Sequence, residues 1–180
     1  PGNWDIAGLT KVDGFTLYVQ APNVCGDALR IDTGKIDFSQ NQVVFGLHLG
    51  GVQQTTYGTY GSTSSAATYR DDTYFSGAGV VSFVPKAVRW DGFDGAASNG
   101  AWQVGGPTNW VDPVGGGRFA FADRMDVTFD DAATGTTTVT LSGTVQPDSI
   151  TLNNSAKAYD FSGGTIAGAT GLAKGGAGTA

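Results

Sequence analysis

Residues 135–180 read GTTTVTLSGTVQPDSITLNNSAKAYDFSGGTIAGATGLAKGGAGTA, and this last quarter of the chain indicates the fold. It consists of very short segments in which apolar and polar residues alternate, separated by Gly, Asn, Ser or Pro. The apolar positions are Val139 and Leu141, Ile150 and Leu152, Tyr159 and Phe161, and Ile166. Alternation with period 2 over four to six residues predicts β-strands. Because one such strand cannot bury its apolar face alone, we expect the segments to stack on one another.

We therefore predict an all-β protein built as a parallel β-solenoid-like stack of short strands. A β-sandwich or jelly roll remains the alternative, because alternation does not reveal whether strands pair in parallel. The composition fits either fold, since 29 of 180 residues are Gly and only 14% are charged, against about 25% in an average globular protein. The expected core includes Val139, Leu141, Ile150, Leu152, Phe15 and Leu17.

A chain of 180 residues is long enough for two small units. We predict one β unit at residues 1–84, a junction at residues 85–89, and a second β unit at residues 90–180. The second unit opens with a tryptophan cluster and ends in half of a repeated motif.

The repeated motif occurs near both ends of the chain. Residues 171–179 read GLAKGGAGT, and residues 8–17 read GLTKVDGFTL. When Gly8 is aligned with Gly171, the Gly-Leu-x-Lys start of the two segments coincides. Only the N-terminal copy continues into an apolar strand, because the chain ends at Ala180.

Three further short motifs accompany this repeat. They are GTYG at residues 58–61, DDTYFSGAG at residues 71–79 and WDG at residues 90–92. Together with the repeated motif, they resemble the passenger-associated β-strand repeat of bacterial autotransporter-like surface proteins.

Units of that family open at a Trp-Asp-Gly and close with a strand such as Val80–Val84, so this chain follows a rotated order. Two interpretations remain open. The chain is either a segment of a tandem array or a subunit whose C-terminal edge is completed by the N-terminal segment of the next copy.

The resemblance implies a non-enzymatic structural protein, secreted or at the cell surface, that forms a repeat unit or protomer of a fibre or adhesin. It implies copies of the same chain as partners, head-to-tail pairing of strand edges, and no cofactor. The residues expected at the assembly edges are Leu9, Lys11, Phe15, Leu17, Val19, Gly171, Leu172, Lys174 and Thr179.

Two rival functions remain open. A carbohydrate-binding module would use Trp90, Trp102 and Trp110 as a glycan platform, because aromatic rings offer an apolar face to a sugar. A polysaccharide-degrading β-solenoid enzyme is the third hypothesis, and it rests on fold analogy alone. Four tyrosines also offer aromatic rings for stacking on a sugar, but their expected role is packing between strands. They are Tyr57, Tyr60, Tyr69 and Tyr74.

Charge and residue usage exclude several classes of function. A net charge of −6 disfavours nucleic acid and anionic membranes as partners, and no apolar run is long enough to span a bilayer as a helix. One His (His48) and one Cys (Cys25) give no nucleophile and base pair and no zinc site. We predict no catalytic residue and no metal site, with calcium at Asp91, Asp94 and Asn99 as the alternative.

Overall fold

The structure is a computed structural model. It describes the backbone of residues 10–12, 16–19 and 23–24, and the backbone and side chains of residues 27–180. The described residues form an all-β protein of short strands and turns without a helix, which confirms the predicted class. They accordingly contain no helix that is long and apolar enough to cross a membrane.

The chain divides into two compact units, Pro1–Val84 and Pro85–Ala180. The strands described in the first unit are β1 (Thr10–Val12), β2 (Thr16–Val19), β3 (Asn23–Val24), β4 (Leu29–Ile31), β5 (Lys35–Phe38), β6 (Gln42–Val44), β7 (Leu47–Leu49), β8 (Val52–Gln53), β9 (Gly58–Gly61), β10 (Tyr69–Arg70), β11 (Phe75–Ser76) and β12 (Val81–Phe83). They form three sheets with the strand orders β1-β4-β7-β8, β11-β5-β2 and β10-β9-β12-β6-β3.

Successive strands of the first unit pair in parallel at a repeated interval along the chain. The first three ladders share one interval, with the pairs Thr10 and Leu29, Thr16 and Lys35, and Asn23 and Gln42. The next ladders on two of these sheets share a second, longer interval, with the pairs Ile36 and Phe75, and Gln42 and Val81. The interval lengthens because residues 50–74 form an insertion between β7 and β11.

The insertion makes the sheets of the first unit mixed. Strand β8 folds back antiparallel on β7 through Gly50 and Gly51, whose φ angles are 59° and 79°. A two-residue turn with two positive φ angles matches the twist of a β-hairpin, and glycine adopts it without strain. Strand β9 then pairs antiparallel with β12.

The core of the first unit follows the period-2 alternation of its strands. In β4, β6 and β7 the first and third residues are buried and the middle one is half-buried. The buried apolar side chains form one cluster, which contains Leu29, Ile31, Ile36, Phe38, Val44, Leu47, Leu49, Tyr60, Phe75, Val81 and Phe83. His48 lies on the half-buried side of β7, opposite this cluster.

The second unit contains β13 (Ala87–Trp90), β14 (Ala101–Trp102), β15 (Trp110–Val111), β16 (Arg118–Phe119), β17 (Asp126–Asp130), β18 (Thr138–Val145), β19 (Ser149–Asn153), β20 (Asp160–Ile166) and β21 (Gly171–Gly175). They form sheets with the orders β16-β15-β13-β17-β19-β21 and β14-β18-β20. Strands β13, β17, β19 and β21 are parallel to one another, and so are β14, β18 and β20. Strands β15 and β16 add antiparallel pairs at one end.

The segment expected as a junction contributes to this sheet. Residues 87–89 belong to β13, which pairs with both β15 and β17. They therefore lie in the sheet rather than in a connecting segment. Val88 is fully buried, and its apolar side chain gains more from the sheet than from an exposed linker.

Candidate assembly edge

Strands β20 and β21 are edge strands of the two sheets of the second unit, and their side chains are mostly exposed. We refer to these two strands together as the last layer. Each has a pairing partner on one side only among the described residues, since β20 pairs with β18 and β21 pairs with β19. Within the described part of the chain, the outer backbone N–H and C=O groups of these two strands therefore have no partner strand, which is how a sheet edge accepts a further strand.

A single column of side chains shows how the core stops at this edge. Val88, Val127, Ile150 and Leu172 are successive partners across β13, β17, β19 and β21. Their exposed fractions are 1%, 1%, 6% and 69%. Leu172 therefore occupies a core position of the repeating pattern without the next layer that would cover it.

The neighbouring sheet ends in the same way. Val145 of β18 is fully buried, while its partner Ile166 on β20 is 41% exposed. Phe161, also on β20, is half-buried and packs edge-on against Phe129 at 5.0 Å between ring centroids. Both strands of the last layer thus carry apolar side chains toward the surface.

Polar side chains hold this last layer in place. The buried Asn154 amide donates hydrogen bonds to the carbonyl oxygens of Lys157 at 2.6 Å and Thr179 at 2.8 Å. The Thr179 carbonyl also accepts from the backbone N–H of Tyr159, and the backbone N–H of Gly178 donates to the Asn154 carbonyl. The edge is therefore ordered by contacts within the chain.

We call the hydrogen bonds from the Asn154 amide to the Lys157 and Thr179 carbonyls the Asn154 clamp, and the sequence gives only a general signal for it. Asn154 follows a strand in an Asn-Asn-Ser turn, and such residues commonly hydrogen-bond to local backbone. The turn is further capped by Asp131, whose carboxylate accepts from the backbone N–H groups of Ser155, Ala156 and Lys157. These hydrogen bonds lower the pKa of Asp131 below its ordinary value. Spacing alone predicts neither the carbonyl groups that Asn154 binds nor the backbone N–H groups that Asp131 binds.

One glycine of the edge is required by a close approach. Gly176 has φ of +68°, and a Cβ atom there would lie 2.2 Å from the Asn154 carbonyl oxygen. Any other residue would push the last layer away from the one beneath it. Glycine at residue 176 thus has a structural reason in the C-terminal copy of the motif, whereas the N-terminal copy has Asp13 at the aligned position.

The predicted edge residues fall into three groups. Gly171, Leu172 and Lys174 lie on β21 and Thr179 lies just beyond it, all of them exposed. Lys11 lies on β1, and Leu17 and Val19 lie on β2, both of them edge strands of their sheets as far as the structure describes these. Leu9 and Phe15, like Cys25, lie outside the described residues.

The predicted core differs at one described position. Val139, Leu141 and Ile150 are buried, whereas Leu152 is only half-buried. Leu152 faces Lys174 in the last ladder, so no apolar partner covers it from that side.

The three tryptophans predicted as an alternative glycan platform are not on the surface. Trp90, Trp102 and Trp110 are each 0% exposed. Their rings pack at 5.0 to 5.3 Å between centroids in edge-on geometry, and Phe121 and Phe129 complete the cluster. The platform prediction is wrong, because a sugar cannot stack on a ring without an open face.

The alternative calcium site is also not formed. The Asp91 carboxylate, 1% exposed, accepts from Arg118 and from the backbone and hydroxyl of Thr134. Asp94 instead accepts from the Asn99 amide nitrogen and from the backbone of residues 96 and 97. Within residues 27–180 no group of three or more His, Cys, Asp or Glu side chains is arranged to hold a metal.

No family model, curated protein or solved structure matches this chain. The resemblance to the passenger-associated repeat therefore stays a prediction.

Proposed function

We propose that the chain is a non-enzymatic structural unit of a secreted or cell-surface fibre or adhesin, joined to further copies by strand pairing. Its strands would belong to a β-solenoid-like stack in which β20 and β21 form one open end. The next copy would add its N-terminal strands to this end and continue both sheets.

The observation that carries the proposal is the column from Val88 to Leu172. A leucine that is 69% exposed in line with three buried partners leaves apolar surface in water, which is unfavourable by about 25 cal/mol per Å². A further parallel strand would cover Leu172 and satisfy the outer backbone groups of β21.

The N-terminal segment is the proposed occupant because it repeats the same motif. The Gly-Leu-x-Lys of residues 8–11 matches that of residues 171–174, and β1, β2 and β3 are edge strands of their three sheets within the described part of the chain. The constant interval of the first three ladders supports continuation by equivalent layers. Such repeats gain stability from their neighbours above and below.

Light scattering and negative-stain imaging of the full chain over a range of concentrations test the proposal. We expect oligomers that lengthen with concentration for the native sequence, and monomers for Leu172→Lys, since a charged edge side chain opposes strand addition. The matched control is Val114→Lys, because Val114 is 95% exposed in the loop between β15 and β16.

Three outcomes separate the possibilities. Loss of oligomers in Leu172→Lys with retention in Val114→Lys supports pairing at the β21 edge. A native chain that stays monomeric at every concentration contradicts it. Equal loss in both variants also contradicts it, because the effect would then come from added charge at any exposed site.

A further inference from the structure

A groove of about 450 Å³ lies on the first unit, within the insertion of residues 50–74 and the strand before it. Its volume is in the range of small-molecule sites, about 300–1,000 Å³. The groove belongs to the segment that interrupts the regular strand pairing, and such insertions commonly carry binding residues. The side chains that shape its polar wall are Gln54, Thr56, Thr68, Tyr69, Arg70 and Asp71.

Tyr69 gives the groove a fixed aromatic wall. Its ring stacks on Tyr60 at 4.8 Å between centroids with an interplanar angle of 30°. Tyr60 is buried, and its hydroxyl donates to the Thr56 carbonyl at 2.7 Å, so the supporting ring cannot turn freely. Tyr69 itself is 40% exposed. An aromatic ring that is supported on one side and open to solvent can take the apolar face of a ligand.

Gly58 allows this arrangement. A Cβ atom at that position would lie 2.8 Å from Cε2 of Tyr69, and the φ angle is +150°. A side chain at residue 58 would displace the Tyr69 ring. The absence of a side chain at Gly58 thus helps to set the position of the Tyr69 ring.

The groove also offers hydrogen-bonding groups of both kinds. Arg70 donates through Nε to the Ala67 carbonyl at 2.9 Å, which orients the guanidinium and leaves its two terminal NH₂ groups without a protein acceptor among the described residues. Asp71 accepts from the backbone of Thr73 through Oδ1, and within residues 27–180 no donor is bound to its Oδ2. The Gln54 amide nitrogen donates to the carbonyl oxygen of residue 52, and its amide oxygen has no donor in the part of the chain that the structure describes.

Donors and acceptors beside an aromatic ring fit a sugar. Each hydroxyl both donates and accepts, so a carboxylate and a guanidinium that line the same groove can bind hydroxyls of one sugar. The C–H face of a pyranose would then lie on Tyr69. We propose that this groove binds a neutral saccharide, with Tyr69 as the stacking residue and Arg70 and Asp71 as the hydrogen-bonding pair.

The charges favour a neutral over an acidic sugar. One cation, Arg70, is followed directly by Asp71 and Asp72, and the whole chain has a net charge of −6. A uronic acid or a sulfated sugar would meet the Asp71 carboxylate in the groove and the negative charge of the chain as a whole. Repulsion between like charges opposes such ligands.

Affinity electrophoresis of the full chain in gels that contain a soluble polysaccharide tests the site. The neutral probes are galactomannan, xyloglucan and mixed-linkage β-glucan, and polygalacturonate is the acidic comparison. We expect retardation by at least one neutral probe and none by polygalacturonate. Tyr69→Ala should weaken this binding by about tenfold, as expected for loss of an aromatic contact together with its buried area, and Arg70→Ala should weaken it as well.

Two further variants serve as controls for Tyr69→Ala. Tyr69→Phe keeps the ring and should keep most of the binding, and an unchanged urea-unfolding transition of Tyr69→Ala excludes unfolding as the cause of its loss. Tyr57→Ala removes a tyrosine of similar exposure, 37%, that packs on Phe83 and does not line the groove, and it should bind as the native chain does.

The proposal is overturned if none of the three neutral probes retards the chain, or if polygalacturonate alone does. It is also overturned if Tyr69→Ala and Arg70→Ala bind as well as Tyr57→Ala. The edge variant Leu172→Lys should keep full binding, because Leu172 lies in the other unit. Failure of saccharide binding and failure of assembly are therefore read out separately.

Discussion

Ile150 and Leu172 are direct partners in one parallel ladder, yet Ile150 is 6% exposed and Leu172 is 69% exposed. The two side chains have similar size and apolar character, so the difference comes from position alone. Strand β19, which carries Ile150, has β17 on one side and β21 on the other, whereas β21 has a described strand on one side only. The burial of this column thus ends between two adjacent layers.

This difference predicts unequal effects of truncation on stability. In dilute monomer, Ile150→Ala should lower the free energy of unfolding by about 2–4 kcal/mol because it opens a cavity. Leu172→Ala should change it by less than about 0.5 kcal/mol, as for other exposed sites. Urea unfolding at low protein concentration measures both. Equal losses at the two positions would mean that Leu172 is already covered in the monomer.

The buried tryptophans predict a spectroscopic result. Trp4 lies outside the described residues, so Trp4→Phe isolates the emission of Trp90, Trp102 and Trp110. Because all three are 0% exposed, we expect emission at short wavelength and weak quenching by iodide, which does not enter an apolar core. Urea-unfolded protein provides the control. Quenching of the folded variant as strong as in urea would contradict the burial of the cluster.

Binding of a saccharide in the Tyr69 groove should leave this emission unchanged. The groove lies in the first unit and the three tryptophans lie in the second. A change in tryptophan fluorescence on addition of a neutral polysaccharide would instead support binding at Trp90, Trp102 and Trp110. Fluorescence titration of Trp4→Phe with the probe that retards the chain decides between the two locations.

Local alternation was sufficient to predict the strands of the last quarter. Val139 and Leu141 are buried on β18 and Ile150 is buried on β19, because the side of a strand to which a residue points depends only on its parity. The degree of burial did not follow from parity. Leu152 and Leu172 obey the same pattern as Ile150 but lack full cover, since burial depends on whether a further layer is present.

Contacts between distant residues could not be derived from the sequence. Trp90 faces Trp110 across an antiparallel pair that forms because β15 folds back on β13, and alternation contains no information about that return. The partner of Asp91 is Arg118, which the same fold brings near. The glycan platform at the tryptophans and the calcium site at Asp91 were the alternatives that the sequence left open, and the fold instead buries the rings and pairs Asp91 with Arg118.

The Asp91 network predicts how stability depends on pH. Burial raises the pKa of Asp91, but hydrogen bonds from Arg118 and Thr134 lower it by more, so the pKa lies below its usual value of 3.8. A carboxyl with a lower pKa in the folded chain stabilises the fold above its unfolded pKa. That contribution is lost as the pH falls through the folded pKa.

We therefore expect Asp91→Asn to lower the free energy of unfolding by about 3 kcal/mol near neutral pH, because it leaves the Arg118 charge without its partner. The deficit should shrink when unfolding is measured at an acidic pH below the folded pKa of Asp91, where the native carboxyl is protonated as well. Asp160→Asn, which removes an exposed carboxylate of β20, is the control and should show little effect at either pH. A deficit for Asp91→Asn that is the same at both pH values would contradict the ionic role of Asp91.

The Asn154 clamp predicts that order in the assembly edge depends on one buried amide. Asn154→Ala removes the donors to the Lys157 and Thr179 carbonyls and should lower stability by about 1–3 kcal/mol. Asn154→Asp keeps the shape but sets a carboxylate against two carbonyl oxygens, so the pKa of the introduced carboxyl should be raised and its deficit should grow as the pH increases.

Amide hydrogen exchange locates this effect in the last layer. The backbone N–H groups of Tyr159 and Gly178 donate to the Thr179 and Asn154 carbonyls, so their exchange should accelerate in both Asn154 variants. Asn153→Ala, at the exposed end of β19, serves as the control and should leave these rates near their native values. Unchanged exchange in the Asn154 variants would show that the last layer is held by strand pairing alone, in which case the open edge at β21 would need no side-chain clamp to stay available to a further copy.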